Sequence, residues 1–419
     1  MPAVPVSMSL ALVKLLHDNG LVATPPLLKR LNEEAVLRTI RAGAPISRAQ
    51  ISRRAGISKP TVSLALQALL EAGLVREAAD GPGGPSYGAV YFEPVDEAAL
   101  VLAVDLGARF LRGVLGDLAG RVRARQDVEL GGADADRALD AIVQLRNGLA
   151  EAAGLSVDLV EEIVVGVPGV VEKEDGSIRL ALNVAGLDGR RFGAEIEDRI
   201  GVSVTVENDV NLAALGERSL GVAHGVDDFV FLSVGTGLGA GLVLRGELQR
   251  GHNGAAGELD YVRAGREDDL DPCAAALTEV AAKFARADGA RTSLLPPYDA
   301  RSVFTASRNG DAVARAVVAE EARRIALHIV PIAAVTDVGL VVLGGGIGAN
   351  AELLDAVRTR LAGWLAYPPR VQISSLGDGA VLMGGLSVGV QSALRSASHS
   401  QAVKGPASRE RSAAKPPSS

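Results

Sequence analysis

Hydrophobic positions in the first quarter of the chain recur at helical spacing. Residues 32–43, NEEAVLRTIRAG, place their aliphatic side chains on one side of a helix that ends at a glycine. Residues 47–56 predict a second helix, because Ser47 and Gln50 have the spacing of a capping box, in which each residue satisfies a backbone donor of the other. Gly56 then permits a tight turn. The pattern therefore predicts two helices with a glycine turn after the second.

The next apolar stripe, in ISKPTVSLALQALLEAGLV, predicts a third helix with two different faces. Ser58 is placed to cap it, and the proline two residues later is tolerated in the first turn, where no backbone donor is lost. The apolar face is formed by Val62, Leu66, Leu69 and Leu70. The other face is polar, and the predicted DNA contacts are Arg48, Ser58, Lys59, Thr61, Ser63 and Gln67. This arrangement is a helix-turn-helix, whose last helix can enter the major groove of DNA.

Residues 74–94, LVREAADGPGGPSYGAVYFEP, predict a two-stranded wing behind this helix. The head is also basic: residues 29–80 hold nine basic and five acidic side chains, a net +4, whereas the whole chain carries −7 and the remainder therefore −11. A basic module on an acidic body indicates that only one end of the chain meets a polyanion. The alternative is a three-helix bundle that packs against something else. The charge, the caps and the wing favour a winged helix-turn-helix DNA-binding domain over residues 29–92.

Residues 97–395 predict an α/β body in which apolar strands run into glycine turns. The strand–glycine elements fall in residues 101–126, 163–178, 201–221, 228–251 and 341–361. An acidic residue at a strand end, a glycine loop, and a strand–glycine–helix unit in this order indicate a two-lobed phosphate-handling fold. Each glycine element alone is weak evidence for a phosphate site, and only the order is specific.

Composition limits the remaining possibilities. A single cysteine, Cys273, excludes an internal disulfide framework and fits a reducing cytoplasm. No stretch has the roughly 20 apolar residues of a membrane span, and we expect no membrane partner. Residues 1–28 are interpreted as an extension without the pattern of a signal peptide, and the Ser/Ala/Pro-rich residues 396–419 as a disordered tail. The sequence predicts a soluble, cytoplasmic protein.

The helix-turn-helix together with DLG, GVPG, END-x-N, GTGLGAG, AGE and GGG resembles the ROK family of repressors and sugar kinases, over residues 30–390. The resemblance implies an α/β body of two ribonuclease-H-like lobes of the actin/hexokinase type, with sugar and ATP in the cleft between them. It also implies operator DNA and a sugar effector as partners, and a homodimer or homotetramer.

Carried onto this sequence, the resemblance places the kinases' catalytic base at Asp209, where a carboxylate can also simply hydrogen-bond a sugar hydroxyl. Further sugar contacts are implied at Asn183, Asn208, Glu258 and Tyr261. The phosphate- and nucleoside-binding positions correspond to Asp105, Gly107, Gly235, Thr236, Gly237, Gly239, Gly344, Gly345 and Gly346. The alternative role for Asp209 is a helix N-cap that only supports the fold.

Several departures from the family pattern weaken the kinase interpretation. The first phosphate loop is DLGAR, so that Arg109 replaces a phosphate-contacting hydroxyl, although an arginine can pair with phosphate. After AGE the chain continues with Leu259, Asp260 and Tyr261, and the family's sugar- and zinc-binding histidine is absent. Only Cys273 stands where the family has its zinc cysteines. We therefore expect no zinc and no resident cofactor, with ATP and magnesium needed only if the protein is a kinase.

Two further positions leave questions open. In the wing, the family's GRP appears as GGP, residues 83–85, which removes an arginine suited to the minor groove. His252, in RGHNGAAGE, is either a ligand contact or a surface histidine. The sequence as a whole predicts a transcriptional regulator, a repressor of sugar metabolism, whose degenerate kinase-like body senses a sugar or a related metabolite. The alternatives are an active ATP-dependent sugar kinase fused to a DNA-binding head, and a constitutive DNA-binding protein with an empty body.

Overall fold

The structure is a computed structural model, and it describes residues 24–79, 89–132, 134–181, 183–259 and 270–397. The wing tip with the GGP segment, Tyr261, and the predicted tail beyond residue 397 lie outside these ranges. Within them, no helix combines the length and the apolar character needed to cross a bilayer.

The head consists of three helices and a small sheet. Its elements are α1 (Pro25–Gly43), β1 (Ile46–Ser47), α2 (Arg48–Ala55), α3 (Lys59–Glu71), β2 (Val75–Glu77) and β3 (Tyr91–Pro94). The strands pair antiparallel in the order β1-β3-β2, so β1 adds a third strand to the predicted two-stranded wing. Helix α1 begins at Pro25, inside the predicted extension and seven residues before the predicted helix at 32. Proline is compatible with the first turn of a helix, so residues 25–28 of the predicted extension belong to α1.

The first lobe of the body is a five-stranded sheet covered by helices. Its elements are β4 (Leu100–Leu106), β5 (Phe110–Asp117), β6 (Val122–Glu129), α4 (Ala135–Ala153), β7 (Val160–Val167), β8 (Val170–Val171), β9 (Ile178–Arg179), α5 (Phe192–Ile200) and β10 (Ser203–Asn208). The sheet order is β10-β7-β4-β5-β6, in which β4, β7 and β10 are parallel and β5 and β6 antiparallel. Strands β4 and β7 are buried almost throughout, which explains their continuous apolar sequence.

The second lobe repeats this plan. Its elements are β11 (Phe229–Val234), β12 (Leu238–Leu244), β13 (Glu247–Leu248), α7 (Ala274–Ala285), α8 (Ala300–Arg308), α9 (Ala312–Thr336), β14 (Leu340–Gly344), α10 (Gly345–Gly348), α11 (Ala351–Trp364) and β15 (Arg370–Ile373). The sheet order is β13-β12-β11-β14-β15. Two similar sheets in tandem are the two-lobed body that the glycine elements predicted.

Two helices lie between the sheets: α6 (Asp209–Leu220), which connects them, and α12 (Ala380–Ala397). They approach each other very closely at two glycines. A Cβ atom on Gly384 would lie 1.8 Å from the carbonyl oxygen of Leu212, and one on Gly216 would lie 2.2 Å from that of Ala380. The candidate site begins at the N-terminus of α6. The close approach at the two glycines, the glycine crossing, therefore fixes the position of the helix that carries the site.

One hydrophobic cluster runs from the head into the body. It contains head residues such as Ile40 and Leu66 together with Leu118 at the β5–β6 turn and Leu386 of α12. The Arg41 guanidinium of α1 also donates to the carbonyl oxygen of Leu118. The head is therefore packed against the first lobe and its last helix.

Candidate functional site

The DNA-facing part of the head is built by short-range interactions. The Ser47–Gln50 capping box is present at the start of α2, with the Ser47 backbone N–H donating to Gln50 Oε1 at 2.9 Å. Gly56 ends α2 in the left-handed conformation, with φ 66°, as a tight turn requires. Ser58 caps α3 by accepting from the Thr61 backbone N–H at 3.4 Å. These three predictions about local structure are confirmed.

The outer face of α3 is mainly polar, as predicted, although Leu64 on this face is 70 % exposed. Lys59 and Gln67 are exposed. Ser63 is half-buried, and its hydroxyl donates to the Lys59 carbonyl oxygen at 2.9 Å. Arg48 extends from α2 towards this face, with its Nη1 3.4 Å from Ser63 Oγ. The prediction for Leu70 was wrong: it is 37 % exposed, since the buried stripe of the helix runs through Val62, Ala65, Leu66 and Leu69 instead.

In the body, β10 leads directly into α6, and this junction carries the predicted sugar-binding pair. The Asn208 side chain caps α6 by accepting from the Asn211 backbone N–H at 3.0 Å, and its Nδ2 donates to the Gly169 carbonyl oxygen at 3.0 Å. The capping role considered for Asp209 therefore belongs to Asn208. Asp209 is the first residue of the helix, and its Oδ1 accepts from the Val210 N–H at 2.8 Å.

Three carboxylates converge at this point: Asp209, Asp105 at the end of β4, and Glu258. The pKa of Asp209 is raised from 3.8 to about 7, first by burial and then by the negative charges of Asp105 and Glu258, while the Val210 N–H opposes the shift. Burial also raises the pKa of Asp105, although Arg112 lowers it through a 3.1 Å contact with Oδ2. Carboxylates and amides that converge in a cleft are suited to binding several hydroxyls of a polyol.

The glycine loop forms the β11–β12 hairpin turn. Gly235 donates to the Gly237 carbonyl oxygen at 3.0 Å and accepts from Ala274 N–H, the first residue of α7, at 2.9 Å. Thr236 and Gly237 are exposed, and Gly239 packs against Val210 of α6. The loop therefore joins the N-terminus of α7 to the N-terminus of α6.

The glycines at the end of β14 lie beside the same hairpin. A Cβ on Gly344 would lie 2.2 Å from the Phe231 ring, and one on Gly345, which has φ 78°, would lie 2.4 Å from the Val234 carbonyl oxygen. Gly346 has open space where a Cβ would be. The first two glycines are thus required by packing against β11.

The DLGAR loop does not direct its arginine at a phosphate position. The loop is a tight turn in which the Gly107 N–H donates to the Phe110 carbonyl oxygen at 3.0 Å. Arg109 is 75 % exposed and lies over the Phe110 ring, while its Nε donates to Glu129 of β6 at 2.9 Å. The interpretation of Arg109 as a phosphate partner is not supported by this position.

Most of the chain in which the family has its zinc cysteines, residues 260–269, lies outside the described ranges. Within the described ranges, no three His, Cys, Asp or Glu side chains are arranged to hold a metal. Residues 270 and 271, just before α7, are held from α9, where Arg324 Nη1 donates to the Asp271 carbonyl oxygen at 2.6 Å and His328 Nε2 lies 3.2 Å from that of Leu270.

The structure thus brings Asp105, Asn208, Asp209 and Glu258 together with the Gly235–Gly239 loop. Asn183 lies exposed in a turn after β9, and His252 is exposed in the loop that precedes Glu258. Sequence reasoning overlooked Glu207, a buried carboxylate beside Asn208, and its partner Arg250. The END sequence does indicate that Glu207 has a partner, because an acidic residue at the end of a buried strand needs one.

Comparison with known proteins identifies the families to which the two parts of the chain are similar. A model of the ROK family matches residues 101–391, and a MarR family model matches residues 33–84. The xylose repressor of Caldicellulosiruptor bescii is 26 % identical over 380 residues, which cover 85 % of this chain and 95 % of that protein. The xylose repressor of Bacillus subtilis is 26 % identical over 242 residues, which cover 58 % of this chain and 62 % of that protein.

Comparison with solved structures shows the same fold. A ROK family transcriptional regulator, described as a homologue of the E. coli MLC protein, superposes with a TM-score of 0.75 over 90 % of this chain and 100 % of that one, at 23 % identity, which establishes a common fold. A ROK glucokinase from Streptomyces griseus, in complex with glucose and AMPPNP, has a TM-score of 0.60 at 27 % identity over 70 % of this chain and 100 % of that one. The resemblance seen in the sequence is confirmed, and the chain belongs to the ROK family.

Proposed function

We propose that this protein is a DNA-binding transcriptional repressor of sugar metabolism whose body binds a sugar effector. The observation that carries the proposal is the continuous packing of a winged helix-turn-helix head, with a polar outer face on α3, against a body whose cleft gathers Asp105, Asp209 and Glu258. The xylose repressors that align with this chain support the choice of a repressor.

The cleft also supports a sugar as effector. Asn208 and Asp209 stand at the start of α6 and Glu258 on a loop from the other lobe, so a polyol held by these groups would contact both lobes. A change in lobe closure would move α6 and, through the glycine crossing, α12, which shares the hydrophobic cluster of the head. In a homodimer this would alter the distance between two heads, which must match half-sites roughly 34 Å apart.

The test is a DNA-binding assay on the full chain in the cytoplasmic range of salt and pH, where such a regulator would act. Duplexes bound by the protein are selected from a random library, and affinity for the best duplex is then measured with and without D-xylose or D-glucose. We expect one of these sugars to weaken binding, and Asp209→Asn to bind the duplex but to lose the sugar response. Equal affinity with and without every sugar in a broader monosaccharide panel would refute the sensor role.

A second candidate function is phosphoryl transfer to the sugar. It is favoured by one observation, the pKa of about 7 at Asp209, since a general base works best with a pKa near the operating pH. It is opposed by Arg112, which occupies the Asp105 carboxylate, and by the outward position of Arg109. The assay is ADP release with ATP, magnesium and the same sugars. Turnover that disappears in Asp209→Ala would establish kinase activity, and no turnover would leave the sensor as the function of the body.

A further inference from the structure

Glu207 is a buried carboxylate that holds the start of α6 in place. It is 6 % exposed and precedes Asn208 at the end of β10. Its Oε1 accepts from the Asn208 backbone N–H and from Asn211 Nδ2, both at 2.9 Å. The first donor belongs to the N-cap residue and the second to the first turn of the helix that begins with Asp209. The orientation of that turn therefore depends on Glu207.

The other oxygen of Glu207 reaches the second lobe. Its Oε2 accepts from Arg250 Nε at 2.5 Å, with the carboxylate side chain 8 % exposed and the arginine side chain 43 % exposed. Arg250 follows β13, a strand of the second sheet, whereas Glu207 belongs to the first sheet. The ion pair therefore links the two lobes next to Asn208, at the end of β10.

From Arg250 the chain forms a compact loop that ends at Glu258. The Ala256 N–H donates to the Arg250 carbonyl oxygen at 3.2 Å, and the Glu258 N–H donates to that of Ala255 at 3.3 Å. At the far end, the Ala240 N–H of β12 donates to the Gly257 carbonyl oxygen at 3.0 Å. These three hydrogen bonds close the loop between Arg250 and Glu258.

We propose that Glu207 and Arg250 are positioning residues that set the spacing between Asp209 and Glu258, and so determine how tightly the site holds its sugar. Neither residue is assigned a contact with the sugar. The Glu207 carboxylate fixes the helix that carries Asp209. Through Arg250 it also fixes the loop that carries Glu258. The proposal rests on the proposed sugar-binding function, deepens it, and needs a test that separates the two.

The variants are Arg250→Met, Glu207→Gln and the double variant. Arg250→Met keeps the length of the side chain and removes its charge. Glu207→Gln keeps an oxygen for the two donors of α6 and loses the negative charge that holds Arg250. Arg190→Met is the matched control, because Arg190 is also partly buried, at 26 % side-chain exposure, and pairs with Asp136 at 2.7 Å in the first lobe. Arg250→Lys tests for rescue by a charge alone.

The first measurement is hydrogen exchange of backbone amides in the full chain, without sugar. We expect exchange at residues 251–258 to rise at least about tenfold in both single variants, with no such rise in Arg190→Met. Unchanged exchange in this loop would overturn the proposal, and so would a rise spread over the whole chain, which indicates a purely structural role.

The second measurement is calorimetric titration with D-xylose and D-glucose. We expect about a tenfold loss of affinity in each single variant, partial recovery in Arg250→Lys, and no further loss in the double variant, because the two residues act as one unit. Losses that multiply in the double variant would contradict the proposal. If neither sugar binds the unmodified protein, the proposed effector class fails for these sugars, while the exchange measurement still decides the positioning role.

Discussion

Replacing Asp209 with Asn is expected to stabilise the folded protein at neutral and alkaline pH. The pKa of Asp209 is raised from 3.8 to about 7 in the folded state. At higher pH the folded protein must therefore either keep a proton on Asp209 or hold its negative charge beside Asp105 and Glu258. Asparagine has the same shape, carries no charge, and keeps an oxygen for the Val210 N–H. The substitution removes the electrostatic penalty and leaves the local hydrogen bond.

The magnitude follows from the size of the shift. A raised pKa favours the protonated folded state, so this contribution is fully present below pH 3.8 and is lost as the pH rises to about 7. Three pH units correspond to an upper limit of about 4 kcal/mol. Because Asp209 keeps part of its surface in contact with solvent, screening reduces the expected gain in Asp209→Asn to about 1–2 kcal/mol.

The assay is thermal unfolding of both proteins at intervals from pH 5 to 8.5. The melting temperatures should differ least at pH 5, and Asp209→Asn should melt at the higher temperature from pH 7 upwards. Addition of the effector sugar should raise the melting temperature of the unmodified protein alone. A variant that is less stable at pH 8, or a difference that does not change with pH, would refute the reasoning about the carboxylate cluster.

Three further predictions concern other parts of the molecule. Lys59→Gln should weaken operator binding and reduce the slope of affinity against salt by about 1, measured by titrations at several salt concentrations, because one phosphate contact is lost; an unchanged slope would place Lys59 away from the backbone. Gly384→Ala should destabilise the protein by about 1–3 kcal/mol in denaturant unfolding, because its methyl group would lie 1.8 Å from the Leu212 carbonyl oxygen, and equal stability would show that α6 and α12 separate easily. Glu217→Ala should destabilise it by about 1–3 kcal/mol or more, since the buried carboxylate accepts from the Val222 and Leu376 N–H groups at 2.8 and 3.1 Å, and Glu217→Gln should recover part of the loss.

The head was predictable because its structure depends on neighbours in sequence. The Ser47–Gln50 box, the Gly56 turn and the Ser58 cap each involve residues at most three positions apart or a single backbone conformation. The same local reasoning missed the helix start at Pro25, inside the predicted extension, and assigned Leu70 to the apolar face although it lies just beyond the buried stripe.

The site in the body was predictable only in part, because its contacts are distant in sequence. The strand–acid–helix pattern located Asp209, but the partner of Glu207 is 43 residues away and that of Arg109 is 20 residues away. No periodicity or cap specifies such pairs, since they depend on how two sheets pack. The resemblance supplied the residues that contact ligand in relatives, and it could not supply the groups that hold them in position.

The hydrophobic cluster that contains Ile40, Leu118 and Leu386 has a consequence for attempts to recombine such proteins. A head detached from the body would expose the apolar surface that Leu386 of α12 now covers. A chimaera that joins this head to another sensor would work only if the acceptor's last helix and its β5–β6 turn offered a matching apolar surface. In this architecture, the head can be exchanged only together with the apolar surface of the body against which it packs.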